Sequence, residues 1–210
     1  DTYKETRNVT GFDEVSFCLA GEVYISLGQG FKVVLEGDKD YLDEVETKVS
    51  GDELVIKRDR WVNFDNHKVI VRITMPALNG IDVSGSGKVI VNDPLKSEKF
   101  ETDISGSGKI YLKDVTMGDV ECSISGSGSF VAEGSGTINS FEIGISGSGS
   151  YKGESKKVGT FEAHISGSGS CDCYVTDMLR ASISGSGSVW YSGNPKIDAS
   201  ISGSGKVRTK

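Results

Sequence analysis

The stretch Ile104-Ser105-Gly106-Ser107-Gly108-Lys109-Ile110 decides the fold of this protein, because its central tetrapeptide Ser-Gly-Ser-Gly recurs along the chain. The tetrapeptide occurs seven times, at intervals of 18 to 21 residues. It begins at Ser84, Ser105, Ser125, Ser146, Ser166, Ser184 and Ser202. A Gly/Ser tract is typical of a flexible linker, but a linker does not recur at a nearly fixed period between ordered apolar patterns. The repeat therefore predicts a tight turn at one corner of a repeating unit, where glycine supplies a positive φ.

Apolar and polar residues alternate on both sides of each tetrapeptide, which is the pattern of a strand with one buried face. The residue just before the tetrapeptide is β-branched each time: Val83, Ile104, Ile124, Ile145, Ile165, Ile183 and Ile201. The second residue after it is mostly apolar: Val89, Ile110, Phe130, Tyr151, Cys171, Val189 and Val207. Each repeating unit therefore contains a strand, the tetrapeptide turn and a second strand.

A coil of 18 to 21 residues cannot bury its apolar face alone, whereas stacked coils can. We therefore predict an all-β fold, a parallel β-helix with two main strands per coil, and the crossover rule favours a right-handed path. Variable segments should form the second turn of each coil. They include Thr116-Met117-Gly118, Gly134-Ser135-Gly136 and Ser192-Gly193-Asn194-Pro195.

Residues 1–76 lack the tetrapeptide but keep the alternation. The predicted strands there are Val15-x-Phe17-x-Leu19, Val23-x-Ile25-x-Leu27, Phe31-x-Val33-x-Leu35, Leu54-x-Ile56 and Val69-x-Val71-x-Ile73. The segment from Asp40 to Val45 is expected to form one or two helical turns. We predict that residues 1–76 are less regular coils that cap the repeat helix of residues 77–210 within one domain, 1–210. A separate small β domain is the alternative.

The composition argues against several classes of function. The 210 residues carry a net charge of −7, so the basic surface that nucleic-acid binding requires is not expected. No apolar run reaches the roughly 18 residues of a transmembrane segment. The chain begins at Asp1 without an apolar leader, and we interpret it as a form from which a targeting segment has been removed.

The four cysteines match no zinc-binding pattern. Cys171 and Cys173 would lie on the same face of a strand, about 6.6–7 Å apart, where a disulfide rarely forms. We expect Cys18, Cys122, Cys171 and Cys173 to act as small buried apolar residues.

Several of these motifs together resemble the bacterial DUF2807 family, an autotransporter-adhesin head (head GIN) domain that is widespread in Bacteroidetes. The shared features are the Val9-x-x-Phe12 opening, the Glu36-Gly37-Asp38 turn, the Met75-Pro76 step and the tetrapeptide repeats. The resemblance covers essentially the whole chain. It implies a β-helix related in shape to pectin-lyase-like folds, an exported location, adhesion, and a trimeric homo-oligomer. It brings no catalytic residues.

Outward side chains should form columns if the coils stack in register. One column contains Glu101, Glu121, Glu142 and Glu162, followed by Arg180 and Asp198. Four glutamates about 4.8 Å apart could hold a cation weakly, although a solvated polar face is the alternative. The tetrapeptide turn has no carboxylate, which excludes the calcium-binding β-roll class.

A second column contains Ile90, Tyr111, Val131, Lys152, Asp172, Trp190 and Arg208. Ile90, Tyr111 and Val131 would form an exposed apolar strip, which often marks a partner-binding surface, although an N-terminal loop could cover it. Trp190 is a candidate for stacking on a sugar ring, and packing under a loop is the alternative.

The sequence lacks a compact group of acid, base and arginine residues, and its serines are repeated turn residues. The histidine His164 is expected at the surface of a strand. We therefore predict a non-enzymatic module without a cofactor, exported to the cell surface, the outer membrane or the periplasm, which binds a glycan or a surface protein. An envelope structural or assembly protein is one alternative, and a polysaccharide-processing β-helix enzyme is another.

Overall fold

Two stacks of parallel strands form the main walls of the molecule in the computed structural model, which describes residues 2–58 and 66–210. The strands are β1 (Tyr3–Arg7), β2 (Glu14–Phe17), β3 (Gly21–Leu27), β4 (Lys32–Gly37), β5 (Val45–Ser50), β6 (Glu53–Arg58), β7 (Val69–Met75), β8 (Gly80–Gly85), β9 (Lys88–Val91), β10 (Leu95–Gly106), β11 (Lys109–Lys113), β12 (Val115–Gly126), β13 (Ser129–Glu133), β14 (Thr137–Gly147), β15 (Ser150–Gly167), β16 (Ser170–Gly185), β17 (Ser188–Ser192), β18 (Lys196–Gly203) and β19 (Lys206–Thr209). One short helix, α1, spans Lys39–Asp43.

The predicted parallel β-helix is confirmed by the strand pairing. The first stack runs in the order β6, β2, β8, β10, β12, β14, β15, β16 and β18. The second stack runs β7, β3, β9, β11, β13, β15, β16, β17 and β19. The long strands β15 and β16 contribute to both stacks because they continue around the second turn of the coil.

The tetrapeptides form the corner between the two stacks, and each corner hydrogen-bonds to the one before it. The amide of Ser127 donates to the carbonyl of Gly106 at 2.9 Å, and the amide of Ser129 donates to that of Gly108 at 3.0 Å. Gly126 has a φ of 117°, and a Cβ atom added to it would lie 2.6 Å from the carbonyl oxygen of Gly106. Glycine is therefore required both by the backbone conformation and by the close stacking of corners.

The inward rows of the coils fill the interior as the alternation predicts. Phe130, Phe141, Tyr151 and Phe161 are buried, and their rings stack from coil to coil, with Phe141 and Phe161 centroids 5.1 Å apart. Each such side chain contributes roughly 1.5–3 kcal/mol of apolar burial. In the last described coil the inward residues Ile197 and Ile201 are 45% and 42% exposed, because no described strand pairs with the outer edge of β18.

One predicted second turn is wrong. Thr116-Met117-Gly118 lies inside β12, where Met117 is buried and pairs in register with Ile138. The coil has a third, short side at this point. Gly118 permits a close approach there, since an added Cβ would lie 2.3 Å from the carbonyl oxygen of Glu98. The segments 134–136 and 193–195 do connect strands as turns.

The N-terminal coils are stacked in an order that differs from the chain order. The coil of β2 and β3 lies between the coil of β6 and β7 and the coil of β8 and β9. Its corner is Cys18-Leu19-Ala20-Gly21, which takes the place of the tetrapeptide. At the end of the stacks, β5 pairs antiparallel with β6, β4 with β7, and β1 with β4. These strands extend the two stacks at their edges, and both the capping role of residues 1–76 and the division of domains at residue 76 stay predictions.

The interior also holds polar groups. Lys156 is fully buried, and its ammonium group donates to the carbonyls of Val115 and Gly134, both at 3.3 Å, and to that of Ser135. Burial lowers its pKa. Cys122, Cys171 and Cys173 are buried free thiols, whereas Cys18 is partly exposed. Burial raises the pKa of the Cys173 thiol to about 12, so this thiol stays protonated and unreactive at neutral pH.

Candidate functional site

The second stack aligns the predicted apolar strip. Tyr111 pairs in register with Ile90 on one side and with Val131 on the other. The row continues to Tyr24, which pairs with Ile90 because β3 lies beside β9. All four side chains point outward and are partly exposed. We call Tyr24, Ile90, Tyr111 and Val131 the tyrosine stripe.

Neighbouring charged groups contact the tyrosine side chains of the stripe. The Tyr24 hydroxyl donates to a carboxylate oxygen of Glu22 at 2.5 Å, and Glu133 is the carboxylate next to the Tyr111 hydroxyl. The neighbouring glutamate, followed by burial, raises the pKa of each tyrosine, so both hydroxyls stay protonated at neutral pH. The guanidinium of Arg72 lies over the ring of Tyr24, 5.2 Å from its centroid. Tyr24 is therefore restrained both at its hydroxyl and at its ring.

Cations surround the stripe on the outward side of β1, β4, β7, β3, β9, β11 and β13, a surface that we call the tyrosine face. Its strands present six cationic side chains and three carboxylates. The cations are Lys4, Lys32, Arg72, Lys88, Lys109 and Lys113, and the carboxylates are Glu22, Glu36 and Glu133. This local excess of positive charge contrasts with the net charge of −7 for the whole chain.

Two of the grooves on the tyrosine face each contain one of its tyrosines. The first has a volume of about 390 Å³ and is lined by Lys4, Tyr24, Lys32 and Arg72 among others. The second has a volume of about 300 Å³, and its lining includes Lys88, Ile90, Lys109 and Tyr111. Aromatic or apolar surface and positive charge therefore occur together in both grooves.

The predicted glutamate column lies on the outside of the first stack. Glu101, Glu121, Glu142 and Glu162 are paired in register, followed by Arg180. Basic side chains already contact them. Lys99 Nζ is 2.5 Å from Glu101 and 3.7 Å from Glu121, and His164 Nε2 is 3.0 Å from Glu162 and 4.0 Å from Glu142. The weak cation site at this column stays a prediction, and residues 2–58 and 66–210 contain no group of three His, Cys, Asp or Glu side chains arranged to hold a metal ion.

A second acidic group lies further along the same stack, in the N-terminal coils. Burial, followed by the charges of Asp13 and Glu101, raises the pKa of Glu14. Burial and then the neighbouring Asp103 raise the pKa of Asp82, and burial and then Asp82 raise the pKa of Glu53. The first stack is thus acidic on its outer side, and the second is basic near the tyrosine stripe.

Trp190 is not brought into the tyrosine stripe. It belongs to the same outward row as Val131, but Lys152 and Asp172 lie between them. Trp190 is 36% exposed, so its ring is accessible as a separate aromatic surface. Sequence reasoning found Ile90, Tyr111 and Val131 but missed Tyr24 and Arg72. These residues join the row because β3 pairs with β9, and no tetrapeptide precedes β3 to reveal that pairing in the sequence.

Comparison with known proteins identifies the family. The DUF2807 family, described as "Putative auto-transporter adhesin, head GIN domain", matches residues 11–195. The chain belongs to this family. The family resemblance predicted from the sequence motifs is therefore confirmed. Membership of this family supports an adhesin-like role for the chain and specifies no partner.

Solved structures share the fold of this DUF2807 chain. A "putative adhesin" from Bacteroides fragilis has a TM-score of 0.91 at 23% identity and is matched over 100% of this chain and 97% of its own. A "putative lipid binding protein" from Parabacteroides distasonis has a TM-score of 0.80 at 25% identity, with coverage of 100% and 97%. A "putative adhesin" from Parabacteroides merdae has a TM-score of 0.75 at 20% identity, with coverage of 100% and 96%. No functionally curated protein matches the sequence.

These descriptions name adhesins or a lipid-binding protein, and none of them names an enzymatic activity. Within the described residues, no helix is long and apolar enough to cross a membrane.

Proposed function

We propose that this DUF2807 chain is an exported adhesin-like module that binds a surface glycan through the tyrosine stripe. The observation that carries the proposal is the alignment of Tyr24 and Tyr111 in one outward row, with a carboxylate beside each hydroxyl, Glu22 at Tyr24 and Glu133 at Tyr111. The family description as an adhesin supports a role in binding at the cell surface, the outer membrane or the periplasm.

The geometry suits a sugar ring for two reasons. An aromatic ring presents an apolar face that packs against the C–H side of a sugar, while polar groups around it hydrogen-bond to the hydroxyls. The two tyrosines are two strand spacings apart, about 10 Å, so one extended glycan could contact both. Because Tyr24 is already held by Glu22 and Arg72 before binding, little entropy of its side chain is lost when the ligand docks.

A glycan array with purified variants tests the proposal. We expect the double variant Tyr24→Ala/Tyr111→Ala to lose at least roughly tenfold in affinity, since truncation of an aromatic anchor commonly costs more than 1 kcal/mol. Trp190→Ala is the matched control, because it removes an aromatic ring from the same row outside the stripe. Circular dichroism checks that each variant is folded. Binding that survives the double change, or that Trp190→Ala abolishes, would contradict the proposal.

Other partners are favoured less by the surface. An interior lipid site has little support, because stacked rings such as Phe130, Phe141 and Tyr151 fill the coils. A flat surface protein could also use the tyrosine face, and light scattering would show whether the chain forms a homo-oligomer. A polysaccharide-processing activity is tested by incubation with polyuronates and measurement of new reducing ends, of which we expect none.

A further inference from the structure

The charges on the tyrosine face are arranged to attract an anion. None of Lys32, Arg72, Lys88 and Lys109 forms an ion pair with a carboxylate in the part of the chain that the structure describes. Two of the three carboxylates of the face already have partners. Glu36 pairs with Lys4 at 3.3 Å, and Glu22 accepts a hydrogen bond from Tyr24, while Glu133 lies beside Tyr111.

The unpaired cations fall into two groups that correspond to the two grooves. Lys32 and Arg72 line the first groove together with Tyr24. Lys88 and Lys109 line the second together with Tyr111. Lys88 is two strands and two residues away from Arg72, which places the two groups about 12 Å apart. A single acidic sugar is too small to reach both, whereas an oligosaccharide with repeated acidic groups can span them.

The tyrosine stripe connects the two groups of cations. Arg72, Tyr24, Ile90 and Tyr111 are consecutive members of one row, so a ligand that contacts all of them crosses the strands at right angles. The remaining row member, Val131, lies between Ser129 and Glu133 in its own strand, and Lys152 and Asp172 follow it in the row, so the local excess of cations ends at β11. The basic and apolar surface is therefore a track of about five strands, or roughly 19 Å, that runs parallel to the long axis of the helix.

We infer that the ligand of the tyrosine face is an anionic polysaccharide that lies along the helix axis, with acidic groups against Arg72 and Lys32 at one end and against Lys88 and Lys109 at the other. This inference rests on the proposed function, and it names the chemical class of the glycan. The shared chemistry is a sugar chain that carries carboxylate or sulfate groups.

Three immobilised polymers distinguish the possible ligands in a biolayer interferometry experiment. Dextran is neutral, dextran sulfate carries sulfates, and polygalacturonate carries carboxylates. We expect binding to at least one anionic polymer and at least tenfold weaker binding to dextran, with an affinity that falls as salt is raised. Galacturonic acid should not compete, whereas oligogalacturonate should.

Charge variants locate the site. Lys88→Gln/Lys109→Gln and Lys32→Gln/Arg72→Gln should each weaken anionic binding roughly 2- to 30-fold, since an exposed charge pair contributes about 0.2–1 kcal/mol. The control variant Lys99→Gln/Lys196→Gln removes the same amount of charge from the first stack and should change the affinity for the anionic polymer less than twofold. A single-stranded oligonucleotide of matched charge should bind at least tenfold more weakly than the polysaccharide.

The outcomes separate this inference from the proposed function. If dextran binds as well as the anionic polymers and the lysine variants have no effect, the glycan is neutral, and only the inference is overturned. If the control pair weakens binding as much as the tyrosine-face pairs, or if the oligonucleotide binds equally, attraction is by charge alone and the inference is also overturned. If no glycan on an array binds, the proposed function fails.

Discussion

Substitution of a corner glycine by alanine tests how the coils are held together. In Gly126→Ala the new Cβ would have to occupy a φ of 117° and would lie 2.6 Å from the carbonyl oxygen of Gly106. That backbone conformation costs a non-glycine residue roughly 1–3 kcal/mol. Since the clash is with backbone, the corner must open and weaken the bond from the Ser127 amide to Gly106, which is worth about 0.5–1.5 kcal/mol. We expect a total loss of about 2–4 kcal/mol in the free energy of unfolding.

The matched control is Gly144→Ala in β14. Gly144 lies in an outward position of the strand, and an added Cβ meets no atom within 4 Å. There the alanine should raise stability by about 0.4–1 kcal/mol, because it reduces the freedom of the unfolded chain. Urea unfolding followed by circular dichroism measures both variants against the parent. If Gly126→Ala were no less stable than Gly144→Ala, the argument that stacking requires glycine at the corners would be wrong.

Three further predictions concern charged groups. Asp82→Asn should raise stability at pH 7 by roughly 0.2–1 kcal/mol, because the Asp82 carboxylate is partly buried and faces Asp103 in register. Both effects raise its pKa, so the folded state binds the proton more tightly than the unfolded state does. The gain in stability should therefore disappear as the pH falls below about 3.9, and a gain that persists there would contradict the reasoning. Lys156→Met should lower stability by about 1–3 kcal/mol in urea unfolding, since its three carbonyl acceptors lose their donor, and unchanged stability would show that the buried ammonium is dispensable. Calorimetry should detect calcium binding only at millimolar concentrations, because basic groups already contact the glutamate column. The double variant Glu121→Gln/Glu142→Gln should bind calcium still more weakly, and the absence of any heat with the parent protein would refute a cation site.

The repeated part of the fold follows from the sequence because one short motif marks every coil. Aligning the tetrapeptides gave the inward rows and both outward columns, so the register of Glu121 with Glu142 and of Ile90 with Tyr111 could be predicted before the structure was known. The third side of the coil could not be predicted from the sequence. Thr116-Met117-Gly118 has the composition of a turn, and it is the pairing of this segment with β10 and β14 that shows it to be strand.

The N-terminal order could not be predicted, because its pairings join segments that are far apart and carry no shared motif. The strand β3 pairs with β9, more than 60 residues later, and this pairing brings Tyr24 into the row of Tyr111. The antiparallel strands β1 and β5 were missed because their residues are mostly polar and partly exposed. The sequence therefore predicts only part of the candidate site, because it reveals the apolar strip but not Tyr24 and the cations that extend the strip.

Lysine footprinting shows whether an anionic glycan lies on the tyrosine face. The folded chain is acetylated with and without saturating polygalacturonate or dextran sulfate, whichever binds more tightly, and the modified lysines are quantified by mass spectrometry. We expect the ligand to protect Lys88 and Lys109 from acetylation, while Lys99, which is exposed on the first stack, is acetylated to the same extent with and without the ligand. Equal protection of all three lysines, or protection of Lys99 alone, would contradict this expectation.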